Sequence, residues 1–279
     1  MHPNVLLKIS AFSDGQAGGN PAGVLIAPQL PADAEMQRIA ADLGFSETVF
    51  AQPQGEAWRV RYFSPENEVP FCGHATIALG AALAQQQGEG KFELILNNAK
   101  ISVEGRRAGA LFAAALQSPP TRSAPAEPAL LTAALALFGL QMDDLDPRLP
   151  PGLAHAGADH LVLALKSRAT LAAMNYDLAE GRKLMLAAGL TTILLAYIET
   201  PQLFHTRNAF ACGGVLEDPA TGAATAALAG YLRDLGWPHG GVIDLVQGED
   251  MGLRSLLRAE IPAAVGSSIR VSGTARVLP

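Results

Sequence analysis

A glutamate at position 47 lies in a run of small and apolar residues, where a carboxylate is unusual. Phe45 precedes it and the apolar residues 49–51 follow it. In such surroundings the carboxylate would be partly desolvated, which favours its neutral form. A carboxyl group poised toward neutrality can take a proton from carbon and return it elsewhere, as general acid–base catalysis requires. The alternative is that Glu47 lies on the wet face of a strand and has no chemical role.

A cysteine and a histidine, Cys72 and His74, flank Gly73 where a helix of small residues is predicted to begin. The positive end of the helix dipole disfavours the imidazolium, so His74 would keep a neutral ring for hydrogen bonding. Cys72 could act there as a thiolate nucleophile or base. The alternatives without chemistry are a first-turn histidine that caps the helix or faces solvent, and a small buried cysteine.

The segment around this helix start returns later in the chain. Residues 70–83 and 219–232 agree at half of their aligned positions, and both indicate a Pro/Gly turn that opens a helix. Such a helix start offers N–H groups and a positive dipole end to an anion. If the chain is duplicated about a pseudo-twofold axis, both starts would converge on one cleft that holds a carboxylate substrate. The alternative is that two Ala-rich helices match by composition alone.

Asp218 stands immediately before the second of these segments. As a residue just ahead of a helix it can serve as an N-cap, which needs no catalysis. In the duplicated arrangement, however, it lies opposite His74. This position makes it the second acidic candidate for chemistry.

Length and composition restrict the classes of protein that this chain can belong to. Its 279 residues favour two domains of about 120 to 150 residues, and 49% of them are hydrophobic. A net charge of -6 without a Lys/Arg run argues against nucleic acid or an anionic membrane as the main partner. Residues 1–8 have no basic region followed by a long apolar stretch, so we expect a cytoplasmic protein. Two cysteines and six histidines, without CxxC, HExxH or paired-ligand spacing, predict neither a disulfide framework nor a metal site.

Strand patterns dominate both halves of the chain. A helix is predicted over residues 33–43 and closes at Gly44, others start near 73 and 222, and further helices lie at 129–138 and around 171 and 184. Strands are predicted at 5–12, 22–26, 45–50, 58–63, 91–96, 100–104, 110–116, 160–165, 192–198, 203–212, 242–246, 256–261, 269–272 and 275–278. Strand–helix alternation is too sparse for a doubly wound parallel sheet, and no GxGxxG or Walker pattern is present.

A stretch rich in Pro, Ser and Ala at 117–128 is predicted to be the linker between two domains. The N-terminal lobe would then cover residues 1–117, with the C-terminal strand of 267–279 returning to it. The C-terminal lobe would cover residues 129–266. We expect an α+β fold with mixed β-structure around one buried helix in each half.

Six segments resemble, in order across nearly the whole chain, the motifs of the phenazine-biosynthesis PhzF-like family. They read Gly-Asn-Pro-Ala-Gly-Val at 19–24, Ser-Glu-Thr-Val-Phe at 46–50, Tyr-Phe-Ser-Pro at 62–65, Glu-Val-Pro-Phe-Cys-Gly-His-Ala-Thr at 68–76, Glu-Asp-Pro-Ala-Thr-Gly at 217–222, and Gln-Gly through Met-Gly at 247–252. The resemblance implies the diaminopimelate-epimerase fold, with two similar lobes, each a mixed β-barrel around a central α-helix, and an active site in the cleft between them.

The resemblance also implies roles for individual residues. Glu47 corresponds to the acid/base residue of the family, and His74 and Asp218 to its substrate-orienting and proton-handling partners. The substrate-binding positions that it implies are Asn20, Ser46, Cys72, Gly73, Gly222, Ala223 and Gln247. The type enzyme isomerises trans-2,3-dihydro-3-hydroxyanthranilate without metal or organic cofactor, by moving a proton from one carbon to another. Members are often dimers, so we expect a cofactor-independent homodimer that acts on a small carboxylate.

Three departures from the family pattern bear on the substrate. Ala223 stands where the family often has Ser, and the late motif reads Met-Gly-Leu-Arg-Ser at 251–255 instead of Met-Gly-Arg-Pro-Ser. Cys72 is similar to the thiol of proline racemases and epimerases, but Asp218 stands where those enzymes place a partner cysteine. We therefore predict an isomerase that moves a proton on a small carboxylate. A cysteine-dependent amino-acid racemase or epimerase and a non-catalytic small-molecule-binding protein stay open as alternatives.

Overall fold

One buried α-helix lies at the centre of each of two units in the computed structural model of the protein, which describes residues 6–279. The first unit comprises Met1–Gln117 and Ser272–Pro279, and the second comprises Ser118–Val271. Residues 1–5 lie outside the described residues. They hold the start of the predicted strand 5–12 and most of the 1–8 segment on which the prediction of a cytoplasmic location rests.

The first unit is a mixed sheet wrapped on a helix of small residues. Its elements in chain order are β1 (Leu6–Ala11), β2 (Asn20–Ile26), α1 (Asp33–Leu43), β3 (Thr48–Gln54), β4 (Ala57–Phe63), β5 (Glu68–Val69), α2 (Gly73–Gln87), β6 (Gly90–Ile95), β7 (Lys100–Ala108) and β8 (Leu111–Gln117). Strand pairing runs antiparallel from β1 to β2, parallel to β3, antiparallel to β4, parallel to β6, and antiparallel to β7 and β8. Helix α2 packs against β1, β2, β7 and β8 and is the core of the unit.

The second unit has the same plan with longer connections. Its elements are β9 (Arg122–Pro125), α3 (Pro128–Phe138), β10 (Gly152–His155), β11 (Asp159–Leu165), α4 (Arg168–Ala172), α5 (Leu178–Ala187), β12 (Thr192–Thr200), β13 (Leu203–Ala209), β14 (Glu217–Asp218), α6 (Gly222–Asp234), β15 (Val242–Gln247) and β16 (Ser255–Glu260), and β17 (Arg270–Val277) follows. Helix α6 packs against β9, β10, β11 and β16.

The order of strand pairing is the same in both units. From β10 to β16 it runs antiparallel, parallel, antiparallel, parallel and antiparallel, as it does from β1 to β7. The short strand β14 pairs with β13 just before α6, as β5 pairs with β4 just before α2. The predicted α+β fold, with two similar lobes that each wrap mixed β-structure around a central helix, is confirmed.

Strand β17 closes the sheet of the first unit into a barrel. It pairs antiparallel with β1, where Ile9 faces Val277 and Ala11 faces Ala275, and it also pairs with β8. The Ser13 N–H donates to the Thr274 carbonyl at 2.9 Å and continues this contact beyond the strand. A closed barrel leaves no free sheet edge between β1 and β8.

Glycines allow α2 to approach the sheet of its own unit closely. A Cβ atom on Gly105 of β7 would lie 2.2 Å from the carbonyl oxygen of Gly80, and one on Gly80 would lie 2.5 Å from Val103 Cγ2. Side chains at either position would therefore push the helix off the strand. This contact explains why the helix is rich in small residues and shows no polar face over its first three turns, where residues 73–84 are all buried.

The stretch 117–128 differs from the linker that its composition predicts. It contains β9, which pairs antiparallel with β10 so that Ala124 faces Leu153, and the Ser118 N–H donates to the Ile269 carbonyl at 2.8 Å. Proline is tolerated at the end of an edge strand because no ladder hydrogen bond is needed there. Pro, Ser and Ala in this stretch therefore belong to an extended edge strand rather than to a flexible connection.

A histidine in the core of the second unit is expected to make the fold sensitive to acid. His160 is completely buried, its Nδ1 lies 2.7 Å from Thr192 Oγ1, and burial lowers its pKa to about 3. In the unfolded chain the pKa is about 6.5. The unfolded chain therefore binds a proton that the folded chain does not, so stability is fully present above pH 6.5 and falls as the pH drops toward 3.

We expect the His160→Gln variant to lose this part of the acid sensitivity, because Gln can still bond to Thr192 but does not titrate. Between pH 7 and pH 5 the free energy of unfolding of the unaltered chain should fall by about 2 kcal/mol more than that of the variant. Urea unfolding at the two pH values measures both changes. Equal losses in the two proteins would show that His160 is not the group responsible.

Candidate active site

Glu47 lies just ahead of β3 and is held by the neighbouring strand β2. The strand predicted at 45–50 begins later than expected, because β3 starts at Thr48. The Glu47 carbonyl accepts a hydrogen bond from the Gly23 N–H at 3.3 Å. Its side chain is only 12% exposed, so the wet-face alternative does not hold. The carboxylate is partly desolvated, as its apolar neighbours predict.

His74 is the second residue of α2, and polar groups lie at both nitrogens of its ring. Its Nε2 lies 3.5 Å from Glu47 Oε2 and 3.4 Å from Ser46 Oγ, while its Nδ1 lies 3.3 Å from Cys72 Sγ. The His74 side chain is 5% exposed, so the alternative of a histidine facing solvent is wrong. A carboxylate, a hydroxyl and a thiol thus surround one imidazole that can hold or relay a proton.

The start of α2 is fixed by hydrogen bonds to the carbonyl of Cys72. The Thr76 N–H and hydroxyl donate to that oxygen at 3.1 Å and 2.7 Å, and Tyr62 Oη lies 2.7 Å from Thr76 Oγ1. Burial raises the pKa of the Tyr62 phenol, which stays protonated and available to donate. No side chain caps this helix end. The N–H groups of the first turn, including that of Gly73, have no partner within the helix and are suited to a carboxylate.

Asn20 is the first residue of β2 and is buried. The preceding Gly19 has φ +81°, and a Cβ atom there would lie 2.6 Å from Ser10 Oγ and 2.7 Å from the Ala11 carbonyl oxygen. Only glycine fits this left-handed and crowded position, which brings the start of β2 against β1. The Gly-Asn-Pro motif therefore has a structural reason in this unit, and the predicted contact of Asn20 with substrate stays a prediction.

In the second unit, hydrogen bonds among Asp218, Thr221 and Gln247 hold the turn that leads into α6. Thr221 Oγ1 donates to Asp218 Oδ2 at 2.5 Å. Gln247 Nε2 donates to the Asp218 carbonyl at 2.6 Å and to Thr221 Oγ1 at 3.0 Å, and the Thr221 N–H donates to Gln247 Oε1 at 3.2 Å. Gln247 is completely buried, so its amide is committed to these contacts. Gln247 therefore fixes the main chain on which Asp218 is carried.

The alternative in which Asp218 serves only as the N-cap of α6 does not hold. The N-cap is Thr221, and no side chain caps the helix, because three residues separate Asp218 from the first turn. Gly222 and Ala223 are the first two residues of α6 and take the positions that Gly73 and His74 have in α2. The start of α6 therefore has no side-chain cap and follows the Asp218 carboxylate, and its first residues carry no imidazole or thiol.

The segment after β15 packs against this turn, a contact that the sequence analysis missed. Gly248 has φ +72°, and a Cβ atom there would lie 2.5 Å from the Leu253 carbonyl oxygen and 2.7 Å from the Pro219 carbonyl oxygen. Glycine is therefore required for the late motif to lie on the turn that carries Asp218. The only sequence signal for this contact was the Gln-Gly pair at 247–248 within a family motif.

Glu249, the next residue in the chain, contacts three basic side chains around the same segment. Its carboxylate accepts from the guanidinium of Arg168 and lies 2.8 Å from His205 Nδ1. Arg254, where the family pattern has Pro, has its Nε 3.8 Å from Glu249 Oε2. The basic residue of the late motif is thus shifted by one position and lies near Glu249. The other two partners of Glu249, Arg168 and His205, are too distant in sequence to be predicted.

A buried ion pair supports the strand that carries Asp218. Arg207 Nη2 lies 2.5 Å from Glu217 Oε2, and the two side chains are 11% and 5% exposed. Arg207 Nη1 also donates to the carbonyls of Ala172, the last residue of α4, and of Met174, at 2.8 Å and 3.1 Å. One guanidinium therefore neutralises the residue before Asp218 and satisfies carbonyl groups at a helix end.

Comparison with known proteins identifies the family. Residues 9–278 match the family model described as phenazine biosynthesis-like protein. The chain is 32% identical over 282 residues to trans-2,3-dihydro-3-hydroxyanthranilate isomerase of Pseudomonas aeruginosa, with 98% of this chain and 96% of the relative covered.

Solved structures agree in fold. A predicted epimerase from Pseudomonas aeruginosa superposes with a TM-score of 0.85 at 25% identity, covering 99% of this chain and 97% of that one. A probable proline racemase from Agrobacterium radiobacter, at 12% identity, has a TM-score of 0.65 over 98% of this chain and 90% of its own, which shows a shared fold alone. The chain belongs to the phenazine biosynthesis-like protein family and is one of its isomerases.

Proposed function

We propose that this isomerase moves a proton from one carbon to another within a small carboxylate, with Glu47 as the acid/base residue. The observation that carries the proposal is the Glu47–His74 pair, 3.5 Å apart with both side chains largely buried at the start of α2. A carboxylate shielded from water beside an imidazole is suited to general acid–base catalysis. The family relationship supports an isomerase, and this pair supports proton transfer as its chemistry.

The proposed reaction is balanced without an oxidant or a reductant. Deprotonated Glu47 takes a proton from a carbon of the substrate, and the electron pair left behind shifts along the conjugated system. The carboxyl proton of Glu47 exchanges with solvent, and Glu47 then delivers a proton to a second carbon of the same molecule. His74 holds the Glu47 carboxylate in place throughout and donates to it or accepts from it as the charge changes.

Helix starts are the groups proposed to bind the substrate carboxylate. The N–H groups at Gly73, and at Gly222 and Ala223 in the second unit, are of the kind that bind anions. Further proposed binding residues are Asn20, Ser46 and Cys72. Gln247, predicted as a binding residue, is proposed instead to position the turn that carries Asp218, because its amide bonds to that turn. Asp218 is proposed to orient the substrate and to handle a proton. Ala223 offers no hydroxyl, so we expect the preferred substrate to lack a polar group that a serine there would bind.

We further propose that the enzyme needs no cofactor and works as a homodimer in the cytoplasm. The proposed acid/base residue is a carboxyl group of the chain itself, which supports the first point. Val215 and Leu216 are adjacent in the chain and 42% and 48% exposed, and we propose that they lie on the surface that the partner subunit covers. Neither Cys72 nor Cys212 forms a disulfide, as is common in a reducing compartment. No helix within residues 6–279 is long and apolar enough to cross a membrane.

Racemisation by a pair of thiols is less well supported. Cys72 is the N-cap of α2, whereas the N-cap of α6 is Thr221. Cys212, the other cysteine, has its Sγ 3.0 Å from the Thr191 carbonyl oxygen and lies outside the start of α6. A racemase of the two-thiol type needs a second thiol beside the substrate, and the second unit places a carboxylate before its helix instead.

Hydrogen exchange with solvent tests the proposed function. The protein is incubated in deuterated water with a panel of small amino and hydroxy carboxylates that includes trans-2,3-dihydro-3-hydroxyanthranilate, and carbon-bound hydrogens are followed by NMR. We expect one member to be isomerised with deuterium at the carbon that receives the proton. The Arg258→Met variant, altered at an exposed ion pair, should behave as the unaltered protein does. Tight binding of a carboxylate without exchange or isomerisation would instead support the non-catalytic binding protein.

A further inference from the structure

We propose that Glu47, Cys72 and His74 form a binding site for a soft divalent cation such as Zn²⁺. One atom from each of these residues, a carboxylate oxygen, a thiol sulfur and a ring nitrogen, lies within 4.8 Å of the other two. These are the three ligand types that zinc takes in proteins. Within residues 6–279 no other three His, Cys, Asp or Glu side chains come together in this way.

Two distances in this group match the spacing of ligand atoms in a zinc site, one at each nitrogen of the His74 ring. Bonds of about 2.0–2.3 Å in a tetrahedron place neighbouring ligand atoms about 3.3–3.8 Å apart. Cys72 Sγ and His74 Nδ1 are 3.3 Å apart, and His74 Nε2 and Glu47 Oε2 are 3.5 Å apart. A metal ion uses only one nitrogen of the ring, so one of the other two side chains must move by about 1 Å, which a rotation of the flexible Glu47 side chain provides. The fourth position stays open, as in catalytic zinc sites.

Charge and burial also favour such a site. A Cys72 thiolate and a Glu47 carboxylate together neutralise the two positive charges of the ion, and neutral His74 supplies the third ligand. The side chains of Glu47 and His74 are 12% and 5% exposed, so few waters compete for the ion. The positive end of α2 opposes a cation, but a helix end changes an affinity by only about two- to fivefold. Loss of even a supporting contact in a metal site costs about tenfold or more, so the three ligands outweigh the helix end.

The second unit lacks this group at the corresponding positions. Its helix start carries Thr221 and Ala223 where α2 carries Cys72 and His74, and β12 is preceded by Thr191 where β3 is preceded by Glu47. We therefore expect one ion per chain. Bound there, the ion would occupy the Glu47 carboxylate and the His74 ring and would stop proton transfer. This inhibitory consequence rests on the proposed function, whereas the binding of the ion does not.

Cobalt(II) titration of the intact chain tests the site without any assay of activity. The protein is treated with a chelator, dialysed and titrated with Co²⁺ alone. We expect one equivalent to bind, with a thiolate-to-metal charge-transfer band in the near ultraviolet and the visible bands of a tetrahedral ion. Cys72→Ser should remove the charge-transfer band and weaken binding about tenfold or more. Cys212→Ser removes the other thiol and should leave the charge-transfer band and the Co²⁺ affinity unchanged, since burial raises the pKa of Cys212 and disfavours its thiolate.

A weak octahedral spectrum without a charge-transfer band would overturn the proposal, and so would a band that survives Cys72→Ser and disappears in Cys212→Ser. Glu47→Gln provides a second variant of similar volume, which should keep the charge-transfer band and lower the affinity about tenfold. Zinc should inhibit isomerisation, and a chelator should restore it. If Co²⁺ binds as expected but zinc leaves turnover unchanged, the metal site stands and the assignment of Glu47 as acid/base residue fails.

Discussion

Glu47→Gln is expected to lower turnover of the isomerised carboxylate by about 10²–10⁴-fold, the range that one general acid–base residue contributes. Gln has nearly the volume of Glu and can keep a hydrogen bond to His74, whose Nε2 lies 3.5 Å from the carboxylate. It cannot take a proton from carbon at neutral pH. The value of kcat should therefore fall far more than KM changes. Steady-state kinetics measures both, and deuterium uptake from solvent into the product should fall in parallel.

Glu66→Gln is the matched control for this variant. It makes the same chemical change at an exposed position of the same unit, in the turn between β4 and β5, and should leave kcat and KM unchanged. If Glu47→Gln retains full turnover, Glu47 is not the base. Exchange that survives the substitution would move the role to Cys72 or Asp218. Inactivation by thiol alkylation, measured in a Cys212→Ser background, would then separate these two, because only Cys72 of the pair carries a thiol.

Arg207→Met is expected to lower the free energy of unfolding by about 3–5 kcal/mol, since it leaves one partner of a buried ion pair uncompensated. Met retains much of the apolar stem of Arg but not its charge. Glu217, 5% exposed, would keep a carboxylate without its guanidinium, and the carbonyls of Ala172 and Met174 would lose their donor. Urea unfolding measures the loss. Because Glu217 adjoins Asp218, kcat should also fall if Asp218 has its proposed role.

Two comparisons separate this effect from a general loss of charge. Arg258→Met breaks the pair with Asp244, in which the side chains are 57% and 44% exposed, and should change stability by no more than about 1 kcal/mol. The double variant Arg207→Met/Glu217→Gln removes the stranded charge and should recover part of the lost stability, with a coupling of about 0.5–3 kcal/mol. If the double variant loses as much stability as the two single variants lose together, the uncompensated Glu217 charge is not the cause of the Arg207→Met effect.

Local signals in the sequence predicted the helices that matter most. The helix Asp33–Leu43 was predicted from its apolar spacing and from Gly44, which marks its end, although its N-cap is Ala32 and not Asp33. The starts of α2 and α6 followed from the Pro/Gly turns before Gly73 and Gly222. The duplication was visible because the central helix of each unit needs small side chains to lie against its sheet, and this constraint acts on both copies.

Contacts between distant segments could not be predicted in the same way. The extended stretch at 117–128 looks like a linker because an edge strand and a linker share the same residues, and only the partner strand β10 distinguishes them. Asp218 looks like a helix cap because the length of the turn after it is not encoded in any single residue. Within the candidate site, His74 was predicted to be near the chemistry, but its contact with Glu47 depends on how β3 meets α2. The same holds for the group of three possible metal ligands.

The closing strand of the first barrel has a consequence for how a nascent chain folds. The second unit, apart from its last two residues, lies between β8 and β17 in the sequence. During synthesis the second unit can therefore assemble while β1 and β8 still expose unpaired main-chain groups. These edges stay unpaired until β17 leaves the ribosome, more than a hundred residues after β8. Contacts of such sequence separation form slowly. Open edges of this kind are sites of aggregation, so we expect the first unit, and not the second, to be the part of the protein that depends on chaperones.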